Sequence, residues 1–396
     1  MKFFIPLIAS AIVLTAPAIA SAQALPSPVP VASPVASPSP AAPPTPTPKP
    51  FQFSGFGDVG ITSASASSGA VNTAGNNSGG STISNRVFDT LDKRPQFHNL
   101  NLQAAYTGTI GGKLELSFGD DADVINSYPK FGSQSEVDVT QAYASYTQGK
   151  FTLIGGKFET LAGAEVIEAP SNLNFSRSFL FGLAVPFTHT GGRLTYAAND
   201  KLSLIAGLNK GWDTTKTISA NGDNNRLTTE LGLAYNPTSA ISLTAQGYNG
   251  TVAVADPVAN RKRSLVDIVG TVHFNPNLQA VINFDSGSET NFGLSTGGIG
   301  TATWNGIAGY ISDNITPKLA ATLRAETFTD KGGSRTGTDQ VLKEATLTLA
   351  YTLNPNVILR LEGRKDHSNQ STFALSNGLA RSYNDTIGFE TLVKFP

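Results

Sequence analysis

The chain contains no cysteine, and its only methionine is the initiator, so disulfides and thiolate metal sites are both excluded. Charged residues make up 14% of the 396 residues and nearly cancel, 28 Lys and Arg against 29 Asp and Glu. That balance leaves no basic surface of the kind a nucleic-acid partner needs. Histidine is scarce: His98, His189, His273 and His367 are scattered, and none stands at the i, i+4 spacing of a helical zinc motif. From Phe51 to Pro396 no apolar run approaches the roughly 20 residues of a membrane-spanning helix, which removes helical membrane proteins.

What is present begins with an export signal. Lys2 precedes a largely apolar run from Phe3 to Ile19, interrupted by Pro6 and Pro17 and followed by Ala20, Ser21 and Ala22. Residues 1–22 therefore read as a secretory signal peptide, cleaved after Ala22 or Ala24, of a Gram-negative-type bacterium. Residues 23–50 are dominated by Pro and Ala with Ser, Val and Thr. Such a tract cannot bury a core, and the expectation is a disordered, partly polyproline-II periplasmic spacer. Residues 51–396 carry a β pattern in which β-branched and aromatic residues recur at every second position between turn signals.

Seven short connections each follow an aromatic residue: Tyr106, Tyr146, Tyr196, Tyr235, Phe274, Tyr310 and Tyr351. An aromatic repeated before alternate turns is the pattern of an interfacial girdle, where the ring lies at headgroup level. The intervening connections are longer and polar: 64–96, 120–134, 159–186, 211–225, 252–260, 289–299, 328–339 and 367–382. Short turns on one side and long loops on the other predict an all-β fold, a transmembrane antiparallel up-and-down barrel of about 16 strands in the outer membrane.

Alternation also assigns faces. Leu114, Leu116 and Phe118 point to lipid if Lys113, Glu115 and Ser117 point inward; Leu359 and Leu361 point out while Arg360, Glu362, Arg364 and Asp366 point in. Ile387, Phe389, Val393 and Phe395 face out, leaving Glu390 and Lys394 inside, and the same parity places Arg193, Arg226, Glu230, Asp267, Asp285, Arg324, Glu326 and Glu344 on the inner wall. A charge on the lipid face costs about 2–4 kcal/mol at the midplane, so inward placement follows if these strands span the membrane. A barrel of about sixteen strands encloses water. The expected function is passive diffusion of small hydrophilic solutes; the alternatives are a structural or adhesive surface barrel closed by its loops and, less favoured, an outer-membrane lipid hydrolase.

The third long loop runs Asn174, Phe175, Ser176, Arg177, Ser178, Phe179, Leu180, Phe181 and Gly182, then Ala184, Pro186, Phe187, His189, Thr190 and Gly191. This segment resembles the signature of the putative β-barrel porin 2 family, the OmpL-like outer-membrane porins, and the resemblance covers essentially 51–396 and implies a porin. The loop mixes Glu165, Glu168 and Arg177 with an apolar stretch, more apolar surface than an exposed loop carries. It is expected to fold into the barrel mouth as a constriction, by analogy with general porins. Arg324, Arg360 and Arg364, interleaved with Glu326 and Glu362, then face Glu165 and Glu168 across the lumen as a transverse field.

No enzyme, cofactor or metal is expected. Asp120, Asp121 and Asp123 lack the following glycine and distal glutamate of a calcium-binding loop, and read as a solvated acidic stretch. Ser176, Arg177 and Ser178 read as loop-packing hydrogen bonders. Phe395, followed by Pro396, looks like a terminal assembly signal with its aromatic one place early. The expected partners are outer-membrane lipid, small hydrophilic solutes, the barrel assembly machinery and further copies of the chain.

Overall fold

Strand alternation with an apolar outer row has one closed solution, and the computed structural model takes it. It describes residues 51–68, 81–125, 136–212, 227–251 and 261–395. The signal peptide 1–22, the spacer 23–50, Arg226 and Pro396 lie outside the described residues. The first half of the wall is β1 (Phe51–Ala64), β2 (Pro95–Tyr106), β3 (Ile110–Phe118), β4 (Val137–Gln148), β5 (Phe151–Glu159), β6 (Thr188–Asn199), β7 (Leu202–Asn209) and β8 (Thr228–Thr238). The second is β9 (Ile241–Thr251), β10 (Lys262–His273), β11 (Leu278–Gly293), β12 (Ile299–Thr316), β13 (Leu319–Lys331), β14 (Gln340–Asn354), β15 (Val357–Ser368) and, after a small hairpin of β16 (Phe373–Ala374) and β17 (Ala380–Arg381), β18 (Tyr383–Phe395). Sixteen of these form a closed barrel in which each strand pairs antiparallel with its sequence neighbours, and β1 closes on β18 with Gly55 opposite Phe395 and Ala64 opposite Thr386.

In β15 Arg360, Glu362, Arg364, Asp366 and Ser368 are buried, and Leu361 among them is exposed. The outer surface carries Val59, Leu114, Leu153, Leu194, Leu231, Ile268, Ile282, Ile307, Leu347 and Ile387, an exposed apolar row that only lipid can cover. Closure removes every free strand edge, which is what a strand crossing hydrocarbon requires.

Tyr106, Tyr146, Tyr235 and Tyr351 stand exposed near the short turns. Tyr310 corrects the girdle expectation, because it is buried and points into the barrel, in step with Trp304 and Ala308. Strand β12 runs on to Thr316, through part of the turn expected at 313–317, and parity puts Ile311 and Ile315 on the lipid side there. Distance from a turn locates depth along a strand but not the face.

Candidate functional site

The third loop, between β5 and β6, is folded inside the barrel. It holds a short 3₁₀ turn at Ala169–Ser171 and one π-helical turn at Leu180–Ala184. Apolar burial drives it inward: Phe179, Leu180, Phe181, Leu183, Val185 and Phe187 pack against Phe88, Tyr248, Leu265, Trp304, Phe328 and Leu342 in one cluster. Phe175 lies over the β1–β18 seam, where a Cβ added at Gly60 or Gly388 would come within 2.7 or 2.8 Å of its ring. These two wall glycines are the recess that admits the ring.

Backbone polar groups buried this way need partners, and the charged wall supplies them. The Glu362 carboxylate accepts from the N–H of Phe175 at 2.8 Å and of Ser176 at 3.0 Å. Glu326 accepts from the N–H groups of Phe179 and Leu180. In the other sense, Arg324 donates to the Ser176 carbonyl at 2.6 Å, Arg364 to the Arg177 carbonyl at 2.6 Å, and Arg360 to the carbonyls of Asn172 and Ala169. The loop is thus gripped through its main chain by side chains from β13 and β15.

The wall arginines are also paired with carboxylates. Arg324 meets Glu165 and Glu344, both at 2.7 Å; Arg360 meets Glu390 at 2.8 Å; Arg364 meets Asp366 at 2.7 Å. Arg193 meets Glu230 at 2.9 Å and covers the Phe158 ring at 4.3 Å. The field expected across an open lumen is corrected here: Glu165 does not face Arg324 over water but touches it, and it also accepts from Tyr310 and from Ser178. Asp267 and Asp285 lie opposite each other on β10 and β11, both buried, and Asn283 donates to Asp267 at 2.7 Å.

Water reaches a different place. Lys113 on β3 is 2.6 Å from Glu115 and 3.6 Å from Glu168 of the loop, and the side chains of Lys113 and Glu168 are 18% and 17% exposed. Glu115, Glu159 and Glu168 offer carboxylate oxygens within 4.8 Å of one another. Burial, and then the adjacent Glu115 carboxylate, push the Glu168 carboxyl up to about 7, against the pull of Lys113.

Arg177 donates to the carbonyls of Ile167 and Phe175, and Ser176 and Ser178 hydrogen-bond within the loop and to the wall. Sequence reading missed Arg86 in the first loop, which reaches Asp366 at 2.8 Å, and the anchoring role of Phe175. Gly60 on β1 and Gly388 on β18, two places apart in the register and both facing inward, were the available signal for the latter, since each leaves a hollow where Phe175 sits. Asp121 is a second correction, being buried beside His98 at 3.2 Å rather than solvated.

Residues 53–395 match the family model described as Putative beta-barrel porin-2, OmpL-like. No curated protein gives a significant sequence match. Among solved structures, the chain is similar to the outer membrane channel DcaP of Acinetobacter baumannii at 14% identity and a TM-score of 0.57, with 87% of this chain and 97% of that one covered. The anion-selective porin of Comamonas acidovorans gives 11% identity and 0.58, covering 87% and 99%. The trimer form of Vibrio cholerae OmpT gives 12% and 0.55, covering 87% and 99%. At these identities the likeness carries the fold alone.

Proposed function

Because this chain belongs to the family described as Putative beta-barrel porin-2, OmpL-like, a family of outer-membrane porins, we propose that it passes small hydrophilic solutes by passive diffusion, with the third loop setting the constriction. The observation that carries the reading is the inward loop clamped by Glu326, Glu362, Arg324, Arg360 and Arg364. In this reading those wall charges act on the loop and not on the solute. The groups that meet solute are Lys113 and Glu168, which keep contact with water beside Glu115. Charge at a narrow passage sets ion preference through the local potential.

Export by a cleaved signal peptide, a periplasmic spacer at 23–50, insertion by the assembly machinery and self-association belong to the same proposal. The interior apolar cluster supports a second reading, a surface barrel closed by its loops. Planar-bilayer recording decides between them. Steady open-channel steps from the purified, folded barrel are expected, and a correctly inserted protein that conducts no ions overturns the diffusion reading.

A further inference from the structure

Asp58, His98 and Asp121 take no part in the loop clamp, yet the fold brings them together from separate elements. In the β1–β2 register Asp58 lies opposite Asn99 and Val59 opposite Phe97, so His98 is the extra residue of a β-bulge. As a result His98 and Asn99 are buried side by side where strict alternation would send one of them outward. Bulges re-aim a side chain in this way, often next to a site. The approach of Asp121 is equally constrained. Gly119 has φ +120, and a Cβ there would lie 2.6 Å from the Phe97 carbonyl oxygen and 2.8 Å from that of His98. Only glycine lets the chain leave β3 across the bulge, and the short helix α1 (Asp120–Ile125) starts immediately after it.

The result is one imidazole between two carboxylates. His98 Nδ1 is 3.2 Å from Asp121 Oδ1, and one donor atom from each of Asp58, His98 and Asp121 lies within 4.8 Å of the others. Asp58 is 2% exposed, and among the described residues its Oδ1 has no hydrogen-bond partner. Asn99, opposite it, also leaves Oδ1 unmatched. A buried acceptor without a donor is costly, and a buried anion more so. The neighbouring guanidinium of Arg177 directs its terminal nitrogens to the carbonyls of Ile167 and Phe175 instead.

We propose that Asp58, His98 and Asp121 form a binding site for a divalent first-row transition ion of the zinc type. An imidazole nitrogen with two carboxylate oxygens is a ligand set for such ions, whereas Mg²⁺ and Ca²⁺ prefer oxygen alone and would leave the ring idle. Ligands about 2.0–2.2 Å from a tetrahedral zinc lie about 3.4 Å from one another; His98 and Asp121 already stand at 3.2 Å, with an Asp58 oxygen within 4.8 Å of both. The ion ties α1 of the second loop to the β1–β2 hairpin beside the closing seam. It also sits behind Phe175, whose ring meets the His98 ring edge-on at 5.4 Å.

The test uses the full chain, stripped of metal, refolded into detergent and titrated calorimetrically with ZnCl₂, MgCl₂ and CaCl₂. Binding of one Zn²⁺ per chain is expected, without comparable binding of Mg²⁺ or Ca²⁺. In folded Asp58→Asn and His98→Gln the affinity falls by more than about 100-fold, beyond the loss caused by removing an outer partner of a ligand. His367→Gln, at an exposed position of β15, leaves it unchanged. Absence of a Zn²⁺ isotherm, or one unaltered in His98→Gln, overturns the site. Should the variants not insert, Cu²⁺ loaded into the wild-type barrel still decides: coupling to one imidazole nitrogen in its paramagnetic resonance spectrum supports the site, and an all-oxygen spectrum overturns it.

Discussion

Between Phe175 and Leu180 the third loop meets the wall through paired charges and buried rings, whereas at Glu168 it meets the wall through like charges and water. The first contact uses Glu326 and Glu362, which accept from loop N–H groups, and Arg324 and Arg364, which donate to loop carbonyls and pair with carboxylates. The second sets Glu168 beside Glu115 and Glu159 with Lys113 as the available cation. Neutralised, desolvated charges fix geometry, and charges left in water remain free to act on what passes. One loop thus has a segment fastened to the wall and a segment that keeps contact with water.

Arg324→Ala is expected to break this division most severely. It leaves Glu165 buried without its cation and Glu344 with only the more distant Arg364 at 3.7 Å, a loss of about 3–5 kcal/mol. A lower urea midpoint and larger, noisier single-channel steps should follow as the loop detaches. Unchanged steps in a destabilised barrel would mean that the loop does not set the constriction. Gly388→Val attacks the same segment sterically by filling the recess of Phe175, and overpacking of this kind costs about 1–3 kcal/mol. Thermal unfolding is the measure, with Gly363→Val as a control, since a Cβ there meets nothing within 4 Å.

The segment around Glu168 is tested through ion preference. Lys113→Glu should move the reversal potential in a salt gradient toward cation preference, because it removes the cation from a group of three carboxylates, and should also lower the urea midpoint, because Glu115 beside it is fully buried. The smallest effect expected is that of pH. Glu168, held at about 7, is neutral below that value and negative above it. Cation preference should therefore rise as pH increases through 7 and lose that step in Glu168→Gln. A step that persists in this variant assigns the titration to another group.

Much of this was legible beforehand because side-chain parity is a local property of the chain. Arg360, Glu362 and Arg364 follow from the leucines around them, and the inward path of the third loop follows from Phe179, Leu180 and Phe181. Their partners do not. Arg360 pairs with Glu390, which stands opposite it on β18, whereas Arg364 pairs with Asp366 two residues along its own strand, so parity alone does not choose between a neighbour on the strand and one across the sheet. Nor does a simple period survive an inserted residue, which is why His98 read as an isolated histidine and Asp121 as solvated. Tyr310 departs from the girdle for two reasons: parity turns it inward, and β12 continues six residues beyond it to Thr316.

The clamp also has a temporal side. Phe175 is separated from Glu362 by 187 residues, and Phe179 from Glu326 by 147, so the grips that hold the loop join parts of the chain made far apart. Closing such distances is slow and entropically costly until the intervening strands have paired. Docking of the third loop must then come after β13 to β15 have joined the wall, as a late step of assembly. A barrel caught between these events has a complete lipid-facing surface but an unfilled interior. The cell would meet it as a leak before meeting it as a filter, which places the pressure for rapid maturation on the wall residues that capture the loop.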